Sequence, residues 1–256
     1  MTTPIDSIFT PAQSRRVFET VIDQVQEAVC NGKLLPGDRL PPERQLQEIL
    51  GISRNTLREA LRVLEQKGLV EIRKGHKGGI FIQQVTTDPM SDYLDTFVRS
   101  NGVSLAHVAQ FRGDLEGLLA RRAAETASQT VINRLKATIA ELTALRAEGI
   151  VAWDRFMEKD QRVHLQLAEV SANPIHSLFL EIIHNHFHRR NIAAFLPKDE
   201  SYLDECLHDL TAVVDAVCRG DGASAQEAAR QHVFGALARM QRHTPASELS
   251  AINQTG

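Results

Sequence analysis

The feature that most constrains this chain is the stretch at residues 40–82, which joins short amphipathic segments through turn residues. Pro41 and Pro42 open a first predicted helix, where proline is tolerated because the first helical N–H has no partner inside the helix. Gly51 ends that helix, and Ser53 caps a second one. The apolar pattern then changes to two short strands around a glycine-rich turn. The sequence therefore predicts a helix-turn-helix followed by a β-wing.

The charge of this stretch indicates its partner. Between residues 53 and 80 there are seven Lys and Arg against three Glu, whereas the whole chain has a formal net charge of −3. Basic side chains neutralise phosphates, and Arg and Asn are well shaped to hydrogen-bond to base edges. We therefore predict a winged helix-turn-helix that binds double-stranded operator DNA through the major groove. The alternative is a solvated basic helix on an unrelated α-protein.

The same residues resemble the N-terminal domain of GntR-family bacterial transcription regulators. Residues 37–61 match the pattern G-x-x-L-P-x-E-R-x-L-x-x-x-L-G-[VI]-[ST]-R-x-x-[VL]-R-E-A-L. The resemblance implies that three arginines contact DNA and that the wing glycine approaches the minor groove. The full predicted DNA-binding set is Arg44, Ser53, Arg54, Asn55, Thr56, Arg58, Lys74 and Gly75.

Length and composition permit a second domain. A chain of 256 residues with 43% hydrophobic content suits two compact domains. Abundant Ala and Leu indicate that the second half is helical. The predicted fold class is mainly α, with three helices and a small β-wing followed by an antiparallel bundle of six or seven helices. The predicted divisions are flexible tails at 1–13 and 244–256, a winged helix domain at 14–85, a linker with the first bundle helix at 86–103, and an effector domain at 104–243.

Several observations bear on the location of the protein. No apolar run approaches the about 20 residues that span a bilayer, and the start of the chain lacks a secretion signal. Cys30, Cys206 and Cys218 are scattered and form no C-x-x-C pair, so a disulfide framework is not expected. We expect a cytoplasmic protein with no membrane partner.

Polar residues on apolar helical stripes indicate a candidate metal site in the second half. Asp160 and His164 lie four residues apart on the inward stripe of one predicted helix, and His232 follows several alanines on a later helix. A buried carboxylate and imidazole must be paired or must bind an ion. This set of nitrogen and oxygen ligands suits a divalent metal. The alternative is a buried Asp–His hydrogen bond and an unrelated histidine.

The second half also resembles the FCD effector domain of the FadR subfamily. Residues 160–173 match its D-x-x-x-H-x-x-[IL]-A-x-x-[ST]-x-N region, and residues 112–116 match its R-x-x-L-E helix. The resemblance implies a divalent metal, with zinc expected, held by one Asp and three His, which helps to bind a small organic acid. Asp160, His164 and His232 are three of those ligands.

The remaining ligand is left open, because Leu210 occupies the position where the resemblance places a histidine. His208 lies two residues earlier, about 200° around a helix and off its apolar stripe. We include His208 in the predicted ligand set, with His186, water or the effector as alternatives. His184 and His188 lie off the inward stripe of their own helix and are expected in solvent or at an interface.

Three residues are candidates for binding the effector. His186 and Arg190 share an inward stripe, and Arg112 begins the R-x-x-L-E helix. A guanidinium matches a carboxylate in bidentate fashion, which suits an organic acid. For Arg112 the alternative is a structural salt bridge with Glu116, four residues further on.

These features together predict a homodimeric transcription regulator, with repression expected, whose operator affinity is controlled by a small organic acid. A dimer is expected because one winged helix-turn-helix domain covers only half of a palindromic DNA site. The alternatives are a regulator that senses the metal itself, a metal-dependent hydrolase, and a metal-free bundle that binds a larger acyl ligand. We predict that the protein is not an enzyme, because no separate general base lies near the metal ligands.

Overall fold

The computed structural model describes residues 15–75, 77–189 and 195–244, which form two compact units divided in the sequence between Pro89 and Met90. The first unit contains α1 (Arg15–Cys30), α2 (Glu43–Leu50), α3 (Arg54–Gln66), β1 (Val70–Arg73) and β2 (Gly79–Ile82). The second contains α4 (Asp88–Ser100), α5 (Leu105–Thr126), α6 (Gln129–Glu148), α7 (Trp153–Val170), α8 (Pro174–Arg189), α9 (Glu200–Cys218) and α10 (Gly222–His243). A 3-10 turn, Gly149–Ala152, leads into α7. The predicted fold class is confirmed.

Local signals set the turn between α2 and α3. Gly51 has φ of 65°, a left-handed conformation, and its N–H donates to the carbonyl of Gln47. Ser53 then caps α3, because its hydroxyl accepts a hydrogen bond from the N–H of Thr56 at 3.2 Å. The apolar side of α3 packs into the core of the first unit with Val21 of α1. The turn therefore places the polar side of α3 at the surface.

The wing is an antiparallel pair in which Val70 lies opposite Ile82 and Arg73 lies opposite Gly79. Its inner side is anchored to the preceding loop, since the N–H of Leu40 donates to the carbonyl of Ile80 at 2.8 Å. The wing is thus held next to the segment that enters α2.

The second unit is a helical bundle in which α5 occupies a central place. Helix α10 lies against α5 and α9, while α8 lies against α5 and α7. Gly117 permits the close approach of α5 and α10, because an added Cβ would lie 3.0 Å from Cγ of Arg230 and 3.2 Å from the backbone oxygen of Gln226. This packing directs side chains of α5, α7, α8 and α10 into one interior.

Among the described helices, none has both the length and the apolar character needed to cross a membrane.

Candidate metal centre and nucleic-acid interface

The predicted DNA-binding residues lie on α2, α3 and the wing of the first unit. All of them are exposed except Thr56, which is half-buried behind the cap of α3. Arg58 and Lys74 line one groove between α3 and the wing. The wing residue Gly75 has φ of 97°, a conformation that favours glycine at the tip. The structure therefore brings α3 and the wing together on one polar surface.

Two acidic residues of α2 pair with the predicted DNA-binding arginines. Oε2 of Glu43, at the start of α2, lies 3.2 Å from Nε of Arg58 and 3.8 Å from Nε of Arg54. Arg44 pairs with Glu48 in the same exposed setting, with 3.3 Å between Nε and Oε1. Exposed ion pairs of this kind contribute only about 0–1 kcal/mol. The guanidinium groups are therefore oriented by the pairs but not locked by them.

Asp160, His164 and His232 meet in the interior of the second unit. Helix α7 supplies Asp160 and His164, with 3.8 Å between Oδ2 and Nε2, and α10 supplies His232, whose Nε2 lies 3.3 Å from Oδ1 of Asp160. All three side chains are buried, and one ligand atom from each lies within 4.8 Å of the others. Atoms bound to a tetrahedral zinc at about 2.0–2.1 Å lie about 3.3 Å apart. The spacing therefore fits a divalent cation.

A second cluster adjoins the first through His164, and its other members were not predicted as ligands. Glu116 of α5 places Oε2 2.7 Å from Nδ1 of His164 and Oε1 3.3 Å from Nε2 of His184 on α8. Glu116, His164 and His184 are all buried, and one ligand atom from each lies within 4.8 Å of the other two. The expectation that His184 lies in solvent is wrong, because α8 is covered by both α5 and α7. The sequence feature that could have indicated Glu116 as a buried residue is its position among the apolar and small residues on one side of α5.

The two carboxylates control the charge of the histidines. Burial by itself would lower the pKa of His164, but Glu116 and Asp160 on its two sides raise it to about 9. Burial, aided by the guanidinium of Arg112, lowers the pKa of His184 to about 4. Burial opposes ionisation of Asp160 too, yet its contacts with His164 and His232 hold the pKa well below the usual value. The interior is therefore arranged to hold positive charge at His164.

Several buried atoms of these clusters have no hydrogen-bond partner. They are Oε2 of Glu116, both ring nitrogens of His164, Nε2 of His184 and Nδ1 of His232. Leaving one such atom unsatisfied costs about 1–3 kcal/mol, which coordination to a cation would offset. Asp160 has an additional contact, since the thiol of Cys206 donates to its Oδ1 at 3.3 Å. The residues present thus fit a buried divalent metal with nitrogen and oxygen ligands.

The other predicted ligand and effector residues lie elsewhere. His208 is exposed on α9 and belongs to neither cluster, while Leu210 is fully buried one half-turn later. His186 is buried but forms an ion pair with Asp95 of α4. Arg190 falls outside the described residues. Of the predicted effector residues that the structure describes, His186 pairs with Asp95 and Arg112 pairs with Glu116.

Arg112 lies beside the second cluster. Its Nε donates to Oε1 of Glu116 at 2.8 Å, and its side chain is 11% exposed. The salt bridge considered from the sequence is therefore present. On its other side Arg112 lines a cavity of about 30 Å³ between α5 and α10, with Val233 and Met240 among the lining residues.

Two family profiles match the two units. The profile described as "Bacterial regulatory proteins, gntR family" matches residues 18–82, and the FCD domain matches residues 107–235. The chain belongs to the GntR family of bacterial transcription regulators, in the FadR-like subfamily that carries a C-terminal FCD domain, and it is homologous to NanR. The family is one of regulators, not of enzymes, as predicted. It implies DNA binding through the winged helix unit and effector binding through the FCD domain.

Individual relatives agree with this assignment. The chain is 29% identical over 240 residues to the HTH-type transcriptional regulator Rv0494 of Mycobacterium tuberculosis, covering 91% of this chain and 93% of the relative. It is 28% identical over 233 residues to the HTH-type transcriptional repressor NanR of Escherichia coli K12, covering 87% and 84%. The solved structure of Streptococcus agalactiae GntR shares 20% identity at a TM-score of 0.59, covering 85% of this chain and 98% of that one. That structural likeness concerns the fold alone.

Proposed function

We propose that this protein is a transcriptional repressor that binds operator DNA as a homodimer in the cytoplasm and releases it when a small organic acid binds the FCD domain. The observation that carries this proposal is the exposed pair Arg54 and Arg58 on α3, set beside the wing in a family of regulators. The name of the E. coli relative NanR, a transcriptional repressor, supports the direction of control.

The proposed reader uses the first turns of α3. Arg54 and Asn55 begin the helix that enters the major groove, where guanidinium and amide groups read base edges. Ser53, Thr56 and the arginines of α2 and α3 contact phosphates, and Lys74 and Gly75 of the wing approach the minor groove. Two readers then occupy half-sites about one helical turn of DNA apart, roughly 34–36 Å.

The proposed metal is a divalent ion, preferably zinc, held by Asp160, His164 and His232. When bound, it supplies a Lewis-acidic position that accepts an effector carboxylate. His208 is left out of this set, because its exposed position on α9 gives no support for it. Cys206 helps to orient Asp160 through its thiol hydrogen bond.

Arg112 is the proposed carboxylate anchor of the effector. The cavity beside it, about 30 Å³, has room for about one water molecule, so an organic acid enters only if α5 and α10 separate. This displacement is the proposed signal. It would change DNA affinity by a coupling free energy of typically about 1–3 kcal/mol.

The test begins with selection of operator DNA from random genomic fragments, followed by fluorescence anisotropy. We expect Arg54→Ala and Arg58→Ala to weaken binding to the selected site at least tenfold. Arg121→Ala is the matched control, because Arg121 is an exposed, carboxylate-paired arginine of the FCD domain. Organic acids are then screened for loss of the wild-type complex. Failure to select any sequence, or equal losses in all three variants, would contradict the proposal.

The small size of the cavity favours a second candidate, in which the metal itself is the signal. In that case operator affinity follows the free zinc concentration with no acid present, and Asp160→Asn abolishes the response. Independence from zinc across a buffered series would exclude it.

A further inference from the structure

We propose that the FCD domain holds a second cation subsite, formed by Oε2 of Glu116, Nδ1 of His164 and Nε2 of His184. It lies on the opposite side of the His164 ring from Asp160 and His232, so the imidazole bridges two ions. The inference rests on the proposed metal function only through the shared His164. Its other two ligands come from α5 and α8, which contribute nothing to the first subsite.

The spacing of the three atoms fits a small divalent cation. Nε2 of His184 lies 3.3 Å from Oε1 of Glu116, and one ligand atom from each of the three residues lies within 4.8 Å of the others, a range that includes the separation of about 3.3 Å between two ligands on a tetrahedral zinc. Nδ1 of His164 lies 2.7 Å from Oε2, so a small rotation of either side chain admits the ion. The side chains are closed off from water, with exposed fractions of 2% for Glu116, 3% for His164 and 4% for His184.

The hydrogen bonding of these atoms points to a ligand between them. Nδ1 of His164 and Oε2 of Glu116 are 2.7 Å apart, which is an ion-pair contact, yet neither atom has a hydrogen bond of good geometry. Nε2 of His184 also has no hydrogen-bond partner. Three convergent, buried and unsatisfied atoms on three different helices are costly together, and one cation would satisfy all of them.

The surrounding charges determine which of the two subsites binds a cation more tightly. Arg112 bonds to Oε1 of Glu116 and leaves Oε2 available, but its positive charge opposes a nearby cation. Arg112 donates directly to Glu116, whereas it affects Asp160 through its charge. The Asp160 subsite is therefore expected to fill first and the new subsite second. The proton on Nδ1 of His164 passes to solvent when the second ion binds.

The alternative to two bound ions is a simpler arrangement with a single ion. A ligating histidine commonly donates its second N–H to an outer carboxylate, which fixes the ring. In that arrangement Glu116 orients His164, and His184 binds no metal. The two arrangements differ in the number of ions for each chain and in the role of His184.

The test is equilibrium dialysis of the full-length, metal-free protein against buffered free zinc, with bound zinc measured by elemental mass spectrometry. We expect two ions per chain in the wild type, one in His184→Ala, and one in the double variant Asp160→Asn, His232→Ala. His208→Ala is the control for exposed histidines and should retain two. A number of bound ions that is unchanged in His184→Ala, whether one or two in the wild type, would overturn the inference. A single wild-type ion that is lost in His184→Ala and kept in the Asp160→Asn, His232→Ala variant would exclude the first subsite and leave the second standing.

A copper titration followed by electron paramagnetic resonance provides a readout that does not depend on stoichiometry. Two copper ions bridged by one imidazole couple magnetically, so the signal for each copper should fall as the second equivalent binds to the wild type. His184→Ala, checked for retained helicity by circular dichroism, should keep the full signal. An undiminished wild-type signal at two equivalents would also overturn the bridged arrangement.

Discussion

Glu116 on α5 and His164 on α7 lie 2.7 Å apart, measured from Oε2 to Nδ1, at a place where neither side chain has appreciable contact with solvent. The same carboxylate also contacts Arg112 and His184. Glu116 therefore joins three helices around the proposed metal ligands. Its removal should lower both the stability of the FCD domain and its affinity for metal.

Replacement of Glu116 by glutamine should destabilise the FCD domain by about 3–5 kcal/mol, because it removes the buried carboxylate charge that pairs with Arg112. Urea unfolding of the metal-free protein measures this. Glu125→Gln is the matched control on the same helix, since Glu125 forms an exposed i,i+4 pair with Arg121. That variant should lose less than about 1 kcal/mol. Similar losses in the two variants would contradict the buried role of Glu116.

The stability of the metal-free protein should depend on pH through His164. Its pKa is about 9 in the folded state, above the unfolded value of about 6.5. A raised pKa stabilises the fold fully below pH 6.5, and that contribution is lost as the pH rises through 9. We expect a loss of up to about 3 kcal/mol over this window, measured by unfolding at several pH values in the presence of a chelator. His164→Gln should flatten this part of the profile.

His184 should act in the opposite direction at lower pH. Its folded pKa of about 4 lies below the unfolded value, so stability falls as the pH drops from about 6.5 towards 4. The metal-free protein is therefore expected to be most stable near pH 6.5. His184→Ala should remove the acid limb that His184 contributes while leaving the alkaline limb from His164 in place. A profile that stays flat on both sides would refute both assignments.

Replacement of Ser53 separates a structural role from a DNA-binding role. Ser53→Ala removes the cap of α3 and should cost about 1 kcal/mol of stability. Ser53→Asp keeps a capping oxygen and therefore the stability, but its negative charge opposes phosphate and should weaken DNA binding. Thermal unfolding and DNA anisotropy on both variants check this. If Ser53→Asp binds DNA as tightly as the wild type, Ser53 does not lie near a phosphate.

Glu43→Gln should strengthen non-specific DNA binding, because it removes the carboxylate that faces Arg54 and Arg58. The ratio of specific to non-specific affinity should fall, since the arginines lose the partner that orients them. Competition with random DNA at several salt concentrations measures that ratio. Glu48→Gln, which releases Arg44 instead, tests whether the effect belongs to α3.

The parts of the protein that were predictable from sequence depend on local contacts. The left-handed Gly51 and the cap at Ser53 are encoded within a few residues of the turn they form. Asp160 and His164 share one helix, so their common face follows from a spacing of four residues. The exposed position of His208 agrees with its helical phase.

The second cluster was not predictable in the same way, because it depends on how helices pack. Helix α8 is covered by α5 and α7, so Ile182, Ile183, His184 and His186 are all buried and its interior side is wider than one stripe. His184 lies outside the inward stripe that a helix with only one buried side would have. The contact between Glu116 and His164 spans 48 positions of sequence, and no periodicity reports such a pair.

The burial of Asp160, His164 and His232 also governs how quickly a bound ion is exchanged. Because its ligands on α7 and α10 are all buried, a bound ion would leave only when the bundle opens locally. Occupancy would then be decided when the chain folds and would persist through many rounds of operator binding. The ion would act as a permanent structural component of the effector domain. The organic acid, which would exchange faster, would be the regulatory ligand.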